Sequence, residues 1–248
     1  MPGKDTNTGA KRALQARERF GLDDVSPVPC VLTLVEDQAG LPVAIGALPD
    51  DIAGALYRNG AGALVWVNGK QSLERQRFTI AHELGHACCG HERPAVDTTA
   101  RIFGGSGDPN EVQANAFAAQ LLAPRAGVRA MIDGEPTLED MVRIAARFGI
   151  STIAALYRLK TLELVSPRRG AQLEREIGDG TQRDVWKYLD PEMLHDALCD
   201  LVLPRLPPAF ASSTLAGLLD GEVSVDAAAD ATGSRADVLA AAAAAFSR

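Results

Sequence analysis

The chain has 248 residues, 46% of them hydrophobic, which is enough to bury the core of one large or two small domains. Its net charge of −7 and isoelectric point near 5.2 argue against broad, non-specific binding to nucleic acids. No apolar run is long enough to cross a bilayer, and the first ten residues lack the apolar core of a secretory signal. The four cysteines show no disulfide-framework spacing. We therefore expect a cytoplasmic protein without membrane contact.

A small sheet is predicted in the first third of the chain. After a charged helix over residues 10–20, the β-branched run Cys30–Val35 is typical of a strand. Residues 41–48 form a second candidate strand, and Ala63–Val67 is the clearest one, closed by an Asn-Gly turn. We therefore expect an α+β fold in which a small antiparallel sheet packs on a helical core.

Helix signals follow the sheet. Ser72 is a good N-cap for a helix over 73–89, and Gly90 is a good C-terminal stop. Residues 92–107 are rich in glycine, threonine and proline, which predicts a loop. The next helix is expected to begin at Asp108-Pro109 and to end before Pro124.

The first of these helices carries the pattern H-E-x-x-H, with His82, Glu83 and His86. Histidines four residues apart lie on one helical face, so both imidazoles can bind one zinc ion. The adjacent glutamate can then act on a water molecule at the metal. This pattern predicts a hydrolase. Two imidazoles with one carboxylate favour zinc, although manganese or iron could occupy the same ligand set.

A catalytic zinc ion usually has a third protein ligand, and Glu111 in the next helix is the best candidate. A competing interpretation places Glu111 in a capping box with Asp108. Asn115, one turn later, could orient a ligand histidine by a hydrogen bond. An H-x-x-G-x-x-H extension of the motif is excluded, because Cys89 and Glu92 stand where glycine and histidine are needed.

Other side chains near the motif have competing interpretations. His91 could be a fourth ligand, but a histidine at the surface or the edge of the core is the simpler role. A cysteine thiolate could also occupy the open metal position and block the enzyme, although buried free thiols are commoner. The cysteines are Cys30, Cys88, Cys89 and Cys199.

A helix-turn-helix-like unit is predicted over 136–166, from helices at 137–148 and 152–162 joined at Gly149. Residues 139–170 carry six basic and three acidic side chains, so DNA contact through this segment is possible, with Arg147 and Arg158 as candidates. Such helical pairs more often only pack.

Three regions are expected from these patterns. Residues 1–135 form the metallopeptidase core, 136–166 the helix-turn-helix-like unit, and 167–248 a helical extension whose role the sequence does not decide. We expect the extension to begin with a linker at 167–170. No pattern encodes the oligomeric state.

The motifs together resemble one family. Residues 77–86 (RFTIAHELGH), then 111–119 (EVQANAFAA) and 121–124 (LLAP), are similar to the ImmA/IrrE metallopeptidases, and the similarity covers about residues 10–165. By this resemblance His82, His86 and Glu111 bind metal and Glu83 is catalytic. Ala123 replaces the family's usual methionine.

The resemblance implies a cytoplasmic endopeptidase that cleaves a helix-turn-helix repressor. Cleavage would release stress, defence or mobile-element genes. The strand Ala63–Val67 could pair with an extended substrate by edge addition. The alternative is a DNA-binding transcriptional regulator whose metal site is structural or silent. The glutamate beside the first histidine favours the enzyme, since a structural site needs no base.

Overall fold

The fold is taken from a computed structural model, which describes residues 3–59, 62–91, 95–103, 107–187, 206–232 and 234–246. Cys199, with the rest of residues 188–205 in the predicted helical extension, therefore lies outside the described residues. Within those ranges no helix is both long and apolar enough to cross a membrane.

The first elements are helical. Helix α1 (Lys4–Arg19) is followed by a helical turn, α2 (Val31–Thr33), which continues as a π-helical turn (Leu34–Gln38). The strand predicted over Cys30–Val35 was therefore wrong. Four side chains of this segment are buried, whereas a strand with one exposed face would bury every second one; they are Val31, Leu32, Leu34 and Val35. The Cys30 sulfur also accepts a hydrogen bond from the Thr33 amide at 3.3 Å and so caps the turn.

The sheet has four strands in the order β1-β3-β2-β4. These are β1 (Val43–Gly46), β2 (Ile52–Asn59), β3 (Gly62–Asn68) and β4 (Ala95–Thr98). Strand β2 is antiparallel to both β3 and β4, whereas β1 runs parallel to β3. The expected α+β class is confirmed, and the sheet is mixed because of this one parallel pair.

The strand order contradicts the prediction that an extended substrate pairs with Ala63–Val67 by edge addition. The run Ala63–Val67 lies in β3, which is hydrogen-bonded on both sides by β1 and β2. A central strand has no free main-chain groups to offer an added strand. Of the described strands, β1 and β4 lie at the edges of the sheet.

The H-E-x-x-H helix is α3 (Leu73–Cys89), and its predicted bounds are confirmed. Gly90 ends it in the left-handed conformation, with φ of 75°. The expected loop after it contains β4 and α4 (Thr99–Phe103). Helix α5 (Pro109–Leu122) then begins at the predicted Asp108 cap, whose side chain accepts from the Asn110 amide at 2.9 Å.

The remaining described helices follow in chain order. They are α6 (Arg125–Ala130), α7 (Leu138–Phe148), α8 (Thr152–Thr161), α9 (Pro167–Gly178), α10 (Gln182–Trp186), α11 (Pro208–Leu219), α12 (Val225–Thr232) and α13 (Ala236–Phe246). The pair α7 and α8 confirms the two predicted helices. The linker expected at 167–170 was wrong, because proline occupies the first turn of α9, where no amide donor is needed.

One apolar cluster joins the sheet to helices on both sides of the H-E-x-x-H helix. It includes Val65 of β3, Leu84 of α3, Phe117 of α5, Ile144 of α7 and Leu156 of α8. Helices α11 to α13 pack on one another around a second cluster. The division into three regions stays a prediction.

Helix α1 packs closely on α5 at Gly9. A Cβ atom at this position would lie 2.1 Å from the main-chain oxygen of Gln113. We expect Gly9→Ala to cost about 1–3 kcal/mol, because the backbone of α5 cannot move away cheaply. The melting temperature in calorimetry should fall by roughly 2–10 °C. Gly178→Ala is the matched control, since nothing lies within 4 Å of its added methyl group. Equal melting temperatures for the two variants would contradict the packing argument.

Candidate metal centre

The centre begins with a close approach of two helices. At Gly85 of α3, a Cβ atom would lie 3.1 Å from both Cα and the main-chain oxygen of Ala114 in α5. The absence of a side chain at Gly85 therefore lets the two backbones touch. This contact turns the H-E-x-x-H face of α3 toward the first turn of α5.

Four buried side chains meet between these helices and strand β4. The Nε2 atoms of His82 and His86 are 2.9 Å apart. Glu111 places carboxylate oxygens 3.6 Å from the first and 3.7 Å from the second. Asp97 of β4 places Oδ2 at 3.7 and 3.6 Å from the same two atoms. One potential ligand atom from each residue falls within 4.8 Å of the others, so the group could hold a metal ion.

The polar atoms of this pocket support such an ion. Both side-chain oxygens of Glu83 and Asp97, and Oε2 of Glu111, are buried without a hydrogen-bond partner among the described residues. An unpaired buried carboxylate is costly unless a cation or a donor compensates it. Two imidazoles with carboxylate oxygens are a donor set that divalent transition metals accept. The residues present therefore fit a divalent cation.

The pKa values of the pocket residues also indicate that a positive charge belongs between them. Burial lowers the pKa of His82, but the carboxylates of Asp97 and Glu111 outweigh burial and raise it to about 9. Burial, reinforced by the charge on His82, lowers the pKa of His86 to about 3. Burial also raises the pKa of Glu83 well above its usual range. The pocket thus holds a proton where a metal ion would provide positive charge.

Asn115 orients His82 as the sequence suggested. Its Oδ1 atom lies 3.0 Å from Nδ1 of His82. Because the amide oxygen can only accept, Nδ1 carries the proton, and Nε2 is left free to bind a metal ion.

A longer chain of contacts orients His86. Its Nδ1 atom lies 2.8 Å from Nδ1 of His91, whose Nε2 lies 3.4 Å from Oε1 of Gln113. The Gln113 amide then donates to Asp5 of α1 at 2.9 Å. If His86 binds a metal ion through Nε2, its Nδ1 carries the proton and donates it to Nδ1 of His91. His91 then donates from Nε2 to Gln113, and Gln113 donates to Asp5, so every hydrogen bond in the chain has one consistent direction.

We expect His91→Phe to weaken zinc binding by about 10–100-fold, because His86 would lose the acceptor that fixes its tautomer. The phenyl ring keeps the approximate shape of the imidazole but accepts no hydrogen bond. Competition with a chromophoric chelator measures the dissociation constant, and circular dichroism checks the fold. An unchanged dissociation constant in a folded variant would remove His91 from any role in orienting the ligand.

The structure brings together all the residues predicted for the site. The capping-box alternative for Glu111 is not realised, since its side chain is directed at the histidines. His91 lies outside the group of potential ligands, and that group contains no cysteine among the described residues. Burial also raises the pKa of the Cys88 thiol to about 11, which disfavours the thiolate that could block a metal ion.

Asp97 is the residue that sequence reasoning missed. It lies in a strand of four residues inside a segment predicted as loop. The available signal was weak: an acidic residue after two apolar residues, between the H-E-x-x-H motif and Glu111. Only the pairing of β4 with β2 places this side chain against the histidines.

The predicted DNA-contacting residues differ in their exposure. Arg147 is exposed on α7. Arg158 of α8 is buried, donates to the Ala123 oxygen at 2.8 Å and also to the Gln120 side chain. Arg158 therefore stabilises the packing of α8 and is not available to bind DNA, contrary to the expectation from sequence.

A buried histidine pair with carboxylates, and a glutamate beside the first histidine, is the arrangement of a metallopeptidase domain on this α+β scaffold. Residues 41–160 match the family model of the peptidase M78 family, the IrrE N-terminal-like domain. This match supports the resemblance of that part of the chain to the ImmA/IrrE family.

Two individual proteins are similar to the chain. The radiation response metalloprotease IrrE of Deinococcus radiodurans is 26% identical over 134 residues, which cover 48% of this chain and 41% of that relative. The chain therefore matches less than half of the relative's length. A solved structure titled Mycobacterium tuberculosis transcriptional regulator has a TM-score of 0.41 and 21% identity, and the match covers 65% of this chain and 48% of that one.

Proposed function

We propose that the protein is a zinc-dependent endopeptidase that cleaves a helix-turn-helix transcriptional repressor. In this proposal His82, His86 and Glu111 bind the metal ion, and Glu83 is the catalytic base. The observation that carries the proposal is the buried set of imidazole and carboxylate groups whose polar atoms lack partners. Zinc is the proposed ion, and manganese is the second candidate.

Zinc would polarise the scissile carbonyl and lower the pKa of the attacking water. The protein provides the proton transfer. Glu83 is fully buried on the same helix as the two histidines, and its carboxylate oxygens are free to accept a proton from that water. In this proposal Glu83 holds that proton and then delivers it to the leaving amine.

Gly54 on strand β2 leaves space for the side chain of Glu83. A Cβ atom at Gly54 of β2 would lie 2.5 Å from Cγ2 of Thr79 and 3.3 Å from Oε1 of Glu83. A larger residue at this position would therefore push α3 away from the sheet or displace the base. Gly54 also pairs with Asp97, so the sheet and the metal centre meet at this point.

The choice of a repressor as substrate rests on the resemblance to the ImmA/IrrE family. A peptidase of this kind would release stress, defence or mobile-element genes in the cytoplasm. The test is to incubate the purified zinc-loaded protein with a helix-turn-helix repressor encoded by a neighbouring gene of its genome and to identify fragments by mass spectrometry. We expect one or a few defined cuts. An intact repressor, with full zinc occupancy and a folded enzyme, would reject this substrate class.

The alternative function is a DNA-binding regulator. Its support is the excess of basic residues over 139–170, including the exposed Arg147. Half of the ten residues of α8 are buried, Arg158 among them, and this counts against the alternative, because a recognition helix must expose side chains to the major groove. Tight binding to its own promoter that Arg147→Gln weakens, without repressor cleavage, would favour this alternative.

A further inference from the structure

The carboxylate of Asp97 lies as close to the two histidines as that of Glu111 does. Its Oδ2 atom lies 3.7 Å from Nε2 of His82 and 3.6 Å from Nε2 of His86, and the Glu111 oxygens lie at 3.6 and 3.7 Å. Four ligands around one zinc ion at ordinary bond lengths are separated by about 3.3–3.6 Å in tetrahedral geometry. Geometry alone therefore does not rank Glu111 above Asp97.

Apart from the two histidines, the neighbour of Asp97 is Glu83, a second buried acidic group that cannot replace a cation. The Asp97 side chain is buried, and neither oxygen has a hydrogen-bond partner among the described residues. The residue opposite it in β2 is Gly54, which offers no side chain. An ionised carboxylate in this position needs a cation to offset the loss of its hydration.

We propose that Asp97 is a fourth protein ligand of the metal ion in the substrate-free protein. This inference rests on the proposed metal site of His82, His86 and Glu111. Four protein ligands complete a tetrahedral zinc site, whereas catalysis requires one position for water. Asp97 therefore closes the site at rest, and it must leave the metal ion before a peptide bond can be cleaved.

Strand β4 connects this ligand to the substrate. It lies at the edge of the described sheet, paired on one side with β2. An extended peptide added to such an edge forms main-chain hydrogen bonds along the strand. Since Asp97 belongs to β4, a substrate that pairs there acts directly on the backbone that positions the ligand. Pairing of the substrate thus opens the metal position.

The test compares wild-type protein, Asp97→Asn and the control Asp50→Asn, whose carboxylate is 90% exposed in the turn before β2. We expect Asp97→Asn to raise the dissociation constant for zinc by roughly 100-fold, as the loss of a ligand should cost at least what outer partners cost. The control should leave the dissociation constant unchanged.

The visible spectrum of the cobalt-loaded protein shows whether the fourth coordination position of the metal ion is open to an added ligand. The visible spectrum of the cobalt-loaded wild type should not respond to azide, whereas that of Asp97→Asn should shift as azide binds. A wild-type spectrum that responds to azide would overturn the inference, and this measurement holds even if the variant fails to fold. Unchanged zinc affinity in folded Asp97→Asn would also overturn it and would leave Asp97 as a neighbour of Glu83.

Failure of the proposed function has a different signature. His86→Ala should lose zinc binding altogether, whatever the role of Asp97. If the wild type binds zinc no better than His86→Ala, the metal site itself is wrong. If the wild type binds zinc, His86→Ala does not and Asp97→Asn equals the wild type, only the fourth ligand is wrong.

Discussion

Glu83→Gln is expected to reduce repressor cleavage by about 10²–10⁴-fold while zinc binding is kept. Glutamine has nearly the same shape as glutamate, but its amide cannot accept the proton of the attacking water. The pocket also loses a buried carboxylate whose oxygens have no partner, so the variant should fold at least as stably as the wild type. Fragment formation over time, with zinc content measured on the same samples, gives the result.

Glu74→Gln is the matched control for this prediction. Glu74 lies in the first turn of the same helix and is partly exposed, away from the histidines. Its replacement should leave the cleavage rate within about twofold, because exposed positions of this kind contribute little. Cleavage by Glu83→Gln at the control rate would show that another group transfers the proton.

Removal of the metal ion is expected to lower the melting temperature by roughly 8–16 °C. A ligand present at about 1,000 times its dissociation constant stabilises the folded state by ~4 kcal/mol, and each kcal/mol shifts a domain of this size by ~2–4 °C. The physical cause is the buried carboxylate group of Glu83, Asp97 and Glu111, which the ion neutralises. Calorimetry with and without a chelator measures the difference.

His86→Ala supplies the control for metal removal. It lacks one imidazole, so its melting temperature should be the same with and without chelator. The wild type should recover its original melting temperature when zinc is added back. A wild type indifferent to chelator, despite measured zinc occupancy, would mean that the ion contributes nothing to folding.

The parts of the molecule with local signals could be predicted from sequence. The N-cap at Ser72 and the stop at Gly90 gave the bounds of α3, and Asp108 with Pro109 gave the start of α5. The spacing of His82 and His86 places them on one face whatever surrounds them. The position of Glu111 facing that pair was the long-range part of the prediction, and it came from matching two motifs.

The parts that depend on distant pairing could not be predicted. Strand β4 is short, and only its hydrogen bonds to β2, about forty residues earlier, make it a strand. The segment Cys30–Val35 has the composition of a strand, yet a short apolar run is equally consistent with a buried helical turn. His91 does lie beyond the helix, as expected, but the left-handed Gly90 turns the chain so that the His91 ring contacts His86, which the sequence did not indicate.

The contact between Gly85 and Ala114 also limits how far the two helices of the centre can move. A Cβ atom at Gly85 would lie 3.1 Å from both Cα and the main-chain oxygen of Ala114, so no side chain separates the helices at this point. Closely packed backbone yields little under strain. The distance between the histidines of α3 and Glu111 of α5 should therefore change little when a metal ion binds or leaves.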